Sequence, residues 1–106
     1  LLAQELRTRL AQSCDDALLD RAAGLLNDPG ISVIADAEAL LATGAVTALH
    51  DPTEGGIAGG VRELAAAAGF GAIVGRAAVP VMRETAVIAA ALGLDPIGML
   101  ASGSLL

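Results

Sequence analysis

The chain has 106 residues, 55% of them hydrophobic and 17% charged, a composition that excludes an intrinsically disordered protein. Six arginines, no lysine and twelve acids give a formal charge of −6, which argues against nucleic-acid partners. No apolar run approaches the roughly 18 residues that a membrane span needs, so we expect no membrane partner.

The first thirty residues predict two helices. Leucines recur every four residues at the start, a spacing that places them on one helical face. They are Leu2, Leu6 and Leu10. A second helix is expected from about Asp16 to Leu26, with capping oxygens supplied by residues 13–16. Pro and Gly within residues 27–30 then end it, so residues 1–30 are interpreted as a helical segment or linker.

From residue 31 onward the pattern alternates between strands and helices. The predicted helices span residues 36–41, 57–68 and 80–92, with a helical turn at 95–96, and the predicted strands span residues 45–50, 70–74 and 104–106. Gly44 suits the left-handed position just past the end of its helix, and Gly69 and Gly93 close the two later helices. Such alternation favours a layered α/β (α+β) fold, in which crossover helices cover a sheet.

Three short strands are few for a self-sufficient sheet. We therefore expect the sheet to be cut at its C-terminal end and the chain to be a fragment of a longer polypeptide. In this interpretation residues 31–106 form a partial domain. A cut sheet exposes unpaired backbone and apolar surface, which predicts self-association as a symmetric dimer.

The most informative segment is residues 50–60, His-Asp-Pro-Thr-Glu-Gly-Gly-Ile-Ala-Gly-Gly. One interpretation is structural: Asp51 caps a helix that begins at Pro52, with Glu54 at its third position. The glycines indicate a role beyond starting a helix, because each one destabilises a helix by about 0.8–1 kcal/mol relative to alanine. Their i, i+4 pairs offer a smooth face for a closely packed backbone. Alternatively, their bare N–H groups receive a phosphate at the helix start.

Either explanation requires something to approach this backbone closely. We therefore expect four residues of the turn to line a cleft and face a ligand, a phosphate or a partner domain. They are Asp51, Thr53, Gly55 and Gly56. Changing both glycines to alanine is expected to stabilise the chain slightly if both have helical dihedral angles. The carboxylates of Asp51 and Glu54 oppose a bare anion at this position, a conflict that a bridging metal would resolve.

The sequence assigns no catalytic residue and no metal site. His50, the single histidine, has the chemistry of a general base, but no Ser or Cys nucleophile occupies a matching position. We interpret it as structural. Cys14 has no second cysteine with metal-ligand spacing and allows no internal disulfide, which fits a reducing cytoplasm.

Together these segments resemble, in order and spacing, the C-terminal domain of AIR synthase-related proteins. The similarity is nearest to the hydrogenase-maturation carbamoyl dehydratase type. The segments that carry it are residues 46–58, 62–65, 68–71, 79–81, 92–96 and 101–106. The resemblance identifies residues 31–106 as a partial C-terminal domain of that kind.

The resemblance implies an ATP-dependent enzyme. Members of this superfamily, which includes AIR synthase and selenophosphate synthetase, activate a substrate oxygen with ATP. Their N-terminal domain carries the metal and nucleotide residues and forms a homodimer. The resemblance thus implies ATP and Mg²⁺ for the full-length protein, no cofactor in this fragment, and no activity without the missing nucleotide-binding domain.

One departure from the family motif supports an alternative. The maturation proteins typically carry Arg where this chain has Glu54, which removes a cation suited to an anionic ligand. Together with the glycine face, this favours a non-catalytic ligand-binding or protein-interaction module that retains the fold.

Overall fold

The computed structural model describes all 106 residues and divides them into two compact units. The first unit comprises Leu1–Gly30 and Gly75–Pro96, and the second comprises Ile31–Val74 and Ile97–Leu106. Each unit is therefore assembled from two separate stretches of the chain.

Regular structure is entirely helical. The α-helices are α1 (Leu2–Glu5), α2 (Arg7–Leu10), α3 (Asp16–Gly24), α4 (Ile34–Ala42), α5 (Gly56–Ala68) and α6 (Arg83–Leu92). Short 3-10 turns occur at Arg76–Ala78 and Pro96–Gly98, and one wide turn spans Leu26–Gly30. None of these helices combines the length and the apolarity needed to cross a membrane.

The predicted layered α/β fold is wrong, because the chain contains no strand and no sheet. All three segments expected as strands are non-helical. The backbone hydrogen bonds that join one of these segments to another are a reciprocal pair, in which the N–H of His50 donates to Leu106 and the N–H of Leu106 donates to His50, at 3.0 and 2.8 Å. A strand requires a neighbour that satisfies its N–H and C=O groups along its length. Here one residue pair is satisfied, so no ladder forms.

Several helix ends confirm the sequence pattern. Asp15 caps α3, and its carboxylate accepts from the N–H of Leu18 at 2.7 Å. Gly44 has a φ of 68°, the left-handed conformation predicted for it, and Gly69 and Gly93 end their helices as predicted, with φ values of 71° and 67°.

Other helix boundaries differ from the prediction. The first helix is interrupted at Leu6, where φ is −111° and ψ is 20°. The last helix begins at Arg83 rather than at Pro80, because Met82 is extended with a ψ of 143°. Helix α4 begins at Ile34, two residues before Asp36, which lies in its first turn instead of capping it.

The first unit is held by a small apolar core. Its buried members are Ala3, Leu10, Leu18, Leu19 and Ile88. The side chain of Leu19 is fully buried, and Cys14 packs against the cluster as a small apolar group. The leucine stripe of the sequence therefore supplies the core as expected, although only Leu10 of its three members is fully enclosed.

Ion pairs surround this core. Arg7 contacts Asp16 at 2.9 Å and Asp20 at 2.8 Å, and Arg21 contacts Glu84 at 3.1 Å. Exposed pairs of this kind contribute only up to about 1 kcal/mol each, so apolar burial is the larger stabilising term of the unit.

Replacing Leu19 with alanine should test the importance of this core. The substitution leaves a cavity in a fully buried site and is expected to lower the free energy of unfolding by about 2–5 kcal/mol. Leu26→Ala is the matched control: its side chain is 55% exposed, so the expected change is within about 0.5 kcal/mol. Urea denaturation followed by circular dichroism measures both; equal losses would contradict this core assignment.

A second prediction concerns pH. Hydrogen bonding to its own backbone N–H, and then to Arg21, lowers the pKa of Glu84 below its usual 4.5. A lowered folded-state pKa contributes stability that is present above pH 4.5 and is lost as the pH falls through the folded pKa. The stability difference between wild type and Glu84→Gln should therefore be present at pH 7 and shrink in acid. Glu38→Gln, the same change at an exposed residue with no ion pair, is the matched control for loss of a carboxylate in the denaturation curves.

Candidate functional site

The candidate site is the turn formed by residues 51–55, which leads into α5. The helix begins at Gly56, and its N-cap is Gly55 with φ at 78° and no side-chain cap. The interpretation of Asp51 as the N-cap and Pro52 as the first helical residue is therefore wrong. A left-handed residue at position 55 separates the preceding turn from the helix.

Gly56 shows why glycine is required here. Its φ is 60°, and a Cβ atom at this position would lie 2.6 Å from the carbonyl oxygen of Ile97 and closer still to that of Met99. The sequence left open which group approaches the glycine backbone, and at Gly56 the neighbouring atoms are carbonyl groups. The approaching group is the chain's own backbone at residues 97–99.

Thr53 joins the turn to the same returning segment. Its carbonyl oxygen accepts from the N–H of Gly56 and from the N–H of Ala101, both at 3.2 Å. Five residues further on, Leu106 exchanges its two hydrogen bonds with His50. Residues 97–106 therefore hold the turn through its main chain on both sides of Pro52, which is buried.

The glycine pair at i, i+4 forms the packing face that the sequence predicted. Gly56 and Gly60 are the buried residues of α5. A Cβ on Gly60 would lie 2.8 Å from Pro52 Cβ, 2.8 Å from Leu106 Cδ1 and 3.3 Å from His50 Cδ2. These two positions bring α5 against the turn and the chain end more closely than alanine would allow.

The polar side chains of the turn are exposed and bind no other side chain of this chain. Asp51, Thr53, Glu54 and Gly55 are exposed, whereas Gly56 is buried. Neither carboxylate of the turn makes an ion pair or a side-chain hydrogen bond. No three His, Cys, Asp or Glu side chains are grouped where they could hold a metal ion. The turn thus offers two free carboxylates and one hydroxyl on a fixed main chain, and its role towards a ligand stays a prediction.

His50 lies at the edge of this site and has a partner that the sequence did not reveal. Its Nε2 atom lies 2.7 Å from Oε2 of Glu63, on α5. The imidazole ring also packs on Gly60, and the His50 backbone pairs with Leu106. This geometry favours the structural interpretation of His50. The pair joins residues thirteen positions apart, a separation that carries no local sequence signal.

Comparison with known protein families shows which family this chain is related to. Residues 15–106 match the family described as AIR synthase related protein, C-terminal domain. The chain belongs to this family. The resemblance seen in the sequence is thereby confirmed, and the family's domain includes the turn, α5 and the returning segment.

A curated member of this group is also similar. The chain is 35% identical over 69 residues to carbamoyl dehydratase HypE of Cupriavidus necator. The aligned residues are 65% of this AIR synthase-related domain and 20% of the relative, so the chain spans about a fifth of that protein. No solved structure matches.

Gly56→Ala should test the backbone contact. A methyl group would meet the carbonyls of residues 97 and 99 in a left-handed conformation, and the expected destabilisation is at least about 2 kcal/mol. The slight stabilisation expected for helical dihedral angles does not apply, since φ is positive at both Gly55 and Gly56.

The matched control for this experiment is Gly24→Ala. Gly24 ends α3 with no atom within 4 Å of an added Cβ, and alanine there should stabilise by about 0.4–1 kcal/mol. Thermal and urea unfolding measure both variants. Wild-type stability in Gly56→Ala would show that the contact with residues 97–99 is not maintained.

Proposed function

We propose that this chain is the C-terminal domain part of an ATP-dependent enzyme of the AIR synthase superfamily, of the hydrogenase-maturation type. Two findings support the proposal: the family match over residues 15–106 and the 35% identity with a carbamoyl dehydratase. Because the relative is about five times longer than the aligned segment, the proposal includes a nucleotide-binding domain as partner. Such an enzyme works in the cytoplasm, where ATP is present.

One observation carries this proposal. The turn at residues 51–55 has its main chain fixed by residues 97–106 while its polar side chains stay free and exposed. A functional site needs supporting contacts that hold the backbone and side chains that remain available to a ligand. The turn meets both requirements.

In the full-length enzyme the turn would face the Mg²⁺–nucleotide complex held by the N-terminal domain, and its chemistry suits that complex better than a bare phosphate. Mg²⁺ is commonly bound through one or two carboxylates together with nucleotide phosphates and water. Asp51 and Glu54 supply carboxylates of this kind, and both are without an ion-pair partner. When bound, Mg²⁺ neutralises phosphate charge. The chain's own contribution is to position these oxygens, and the hydroxyl of Thr53, on a fixed backbone.

A second candidate function is a non-catalytic ligand-binding or interaction module. It is favoured by Glu54, which places a negative charge where the resemblance implies arginine, and by the exposure of that side chain. The coding sequence upstream of Leu1 distinguishes the two functions. Clustered aspartates in a preceding domain support the enzyme, and their absence supports the module.

ATP hydrolysis tests the enzyme directly. Residues 1–106 alone should not hydrolyse ATP, because the nucleotide-binding domain is supplied by other residues. In the polypeptide that carries both domains, Asp51→Asn should lower ATP turnover at least about tenfold, the effect of losing roughly 1.4 kcal/mol of charged interaction.

The matched control is Asp36→Asn, the same charge change at an exposed residue in the first turn of α4, and it should keep wild-type turnover. Hydrolysis by residues 1–106 alone would contradict the domain assignment. Wild-type turnover in Asp51→Asn would remove the turn from the active site.

A further inference from the structure

The contact between His50 and Glu63 joins the start of the turn to the middle of α5. Nε2 of His50 lies 2.7 Å from Oε2 of Glu63, thirteen positions later in the chain. An ionised carboxylate only accepts hydrogen bonds, so the imidazole donates from Nε2. The two side chains are 30% and 56% exposed. Exposed contacts contribute at most about 1 kcal/mol to stability, so the main consequence of this one is local.

Asp51, the residue after His50, makes no hydrogen bond of its own. Neither its backbone groups nor its carboxylate has a partner within the chain. The position of Asp51 therefore depends on the residues on either side of it. Pro52 follows and is buried, and His50 precedes.

His50 is held by its backbone and by its side chain. Its N–H and C=O exchange hydrogen bonds with Leu106, and its carbonyl belongs to the planar peptide unit that leads into Asp51. Because the neighbouring residues do not continue this pairing, the exchange acts as a hinge. The side-chain contact with Glu63 supplies a further fixed point and opposes rotation of the hinge.

We propose that Glu63 is a positioning residue of the turn, which acts through His50 to hold the Asp51 carboxylate in place. The inference rests on the proposed function, in which Asp51 supplies an oxygen to the Mg²⁺–nucleotide complex. Helix α5 is a firm support for this role, because its buried Gly56 and Gly60 pack closely against neighbouring segments. Contacts of this kind orient the groups that bind a metal ion.

Backbone relaxation of residues 1–106, measured by ¹⁵N NMR without nucleotide, tests the positioning directly. A rigid amide has an order parameter of about 0.85, and a flexible one lies below about 0.6. In Glu63→Ala the order parameter of the Asp51 amide should fall out of the rigid range. Glu63→Gln should keep it there, because the side-chain amide oxygen still accepts from Nε2. The matched control Glu38→Ala removes an exposed carboxylate of the same unit and should leave Asp51 rigid.

The Mg²⁺ dependence of ATP turnover, in the polypeptide that carries both domains, tests the consequence for the site. Glu63→Ala should raise the Mg²⁺ concentration for half-maximal turnover about threefold, the scale of one hydrogen bond. The change in kcat at saturating Mg²⁺ should be smaller. A purely structural role would reduce the amount of folded enzyme, and hence kcat, without moving the Mg²⁺ dependence.

A double-mutant cycle tests whether Glu63 acts through His50. His50→Ala should raise the half-maximal Mg²⁺ concentration by at least the same factor as Glu63→Ala. Adding Glu63→Ala to His50→Ala should raise it no further, because both substitutions remove one contact. Glu63→Gln should restore the wild-type Mg²⁺ dependence, as it restores the rigidity of Asp51.

The inference is wrong if Asp51 stays rigid in Glu63→Ala, if Glu63→Gln behaves like Glu63→Ala, or if the effects of Glu63→Ala and His50→Ala add. The proposed function fails on a different observation, the absence of ATP turnover in the wild-type polypeptide that carries both domains. The relaxation measurement involves no nucleotide, so the two failures are told apart.

Discussion

The second unit depends on the close meeting of two backbone segments at Gly56. Two carbonyl groups of residues 97–99 occupy the space that any side chain at this position would need. The hydrogen bonds of Thr53 and the exchange between His50 and Leu106 follow from that approach, because they join the same two stretches of chain. The exposed polar side chains of the turn are thereby supported entirely through the main chain, which leaves them available for a ligand.

The parts of this fold that sequence reasoning found are those with local causes. The capping carboxylate of Asp15 and the left-handed glycines past helix ends act within a few residues. The free-energy cost of glycines in a helix indicated that some group approaches them closely, but it did not indicate which group. The family followed from motif order and is confirmed over residues 15–106.

The parts that were missed have non-local causes. Runs of β-branched residues favour strands, yet a strand also needs a neighbour, and only the pairing of His50 with Leu106 is present. Asp51 followed by Pro52 is a common helix start, but the helix begins at Gly56, where carbonyl groups of residues 97–99 leave no room for a side chain. The group that approaches Gly56 comes from residues some forty positions later in the chain, so the local sequence pattern cannot identify it.

The interleaved composition of the two units has a consequence for synthesis of the protein. The second stretch of the first unit begins at Gly75, and that of the second unit begins at Ile97. On the ribosome, the first unit cannot be completed until residues 75–96 have emerged, and the second unit cannot be completed until residues 97–106 have emerged. The entropic cost of closing the long loops between the two stretches of each unit is small, since doubling the length of a loop costs only about 0.6 kcal/mol. A nascent chain that stalls before Ile97 would therefore present Gly56 and His50 without the residues that cover them, and would be a substrate for chaperones or proteases.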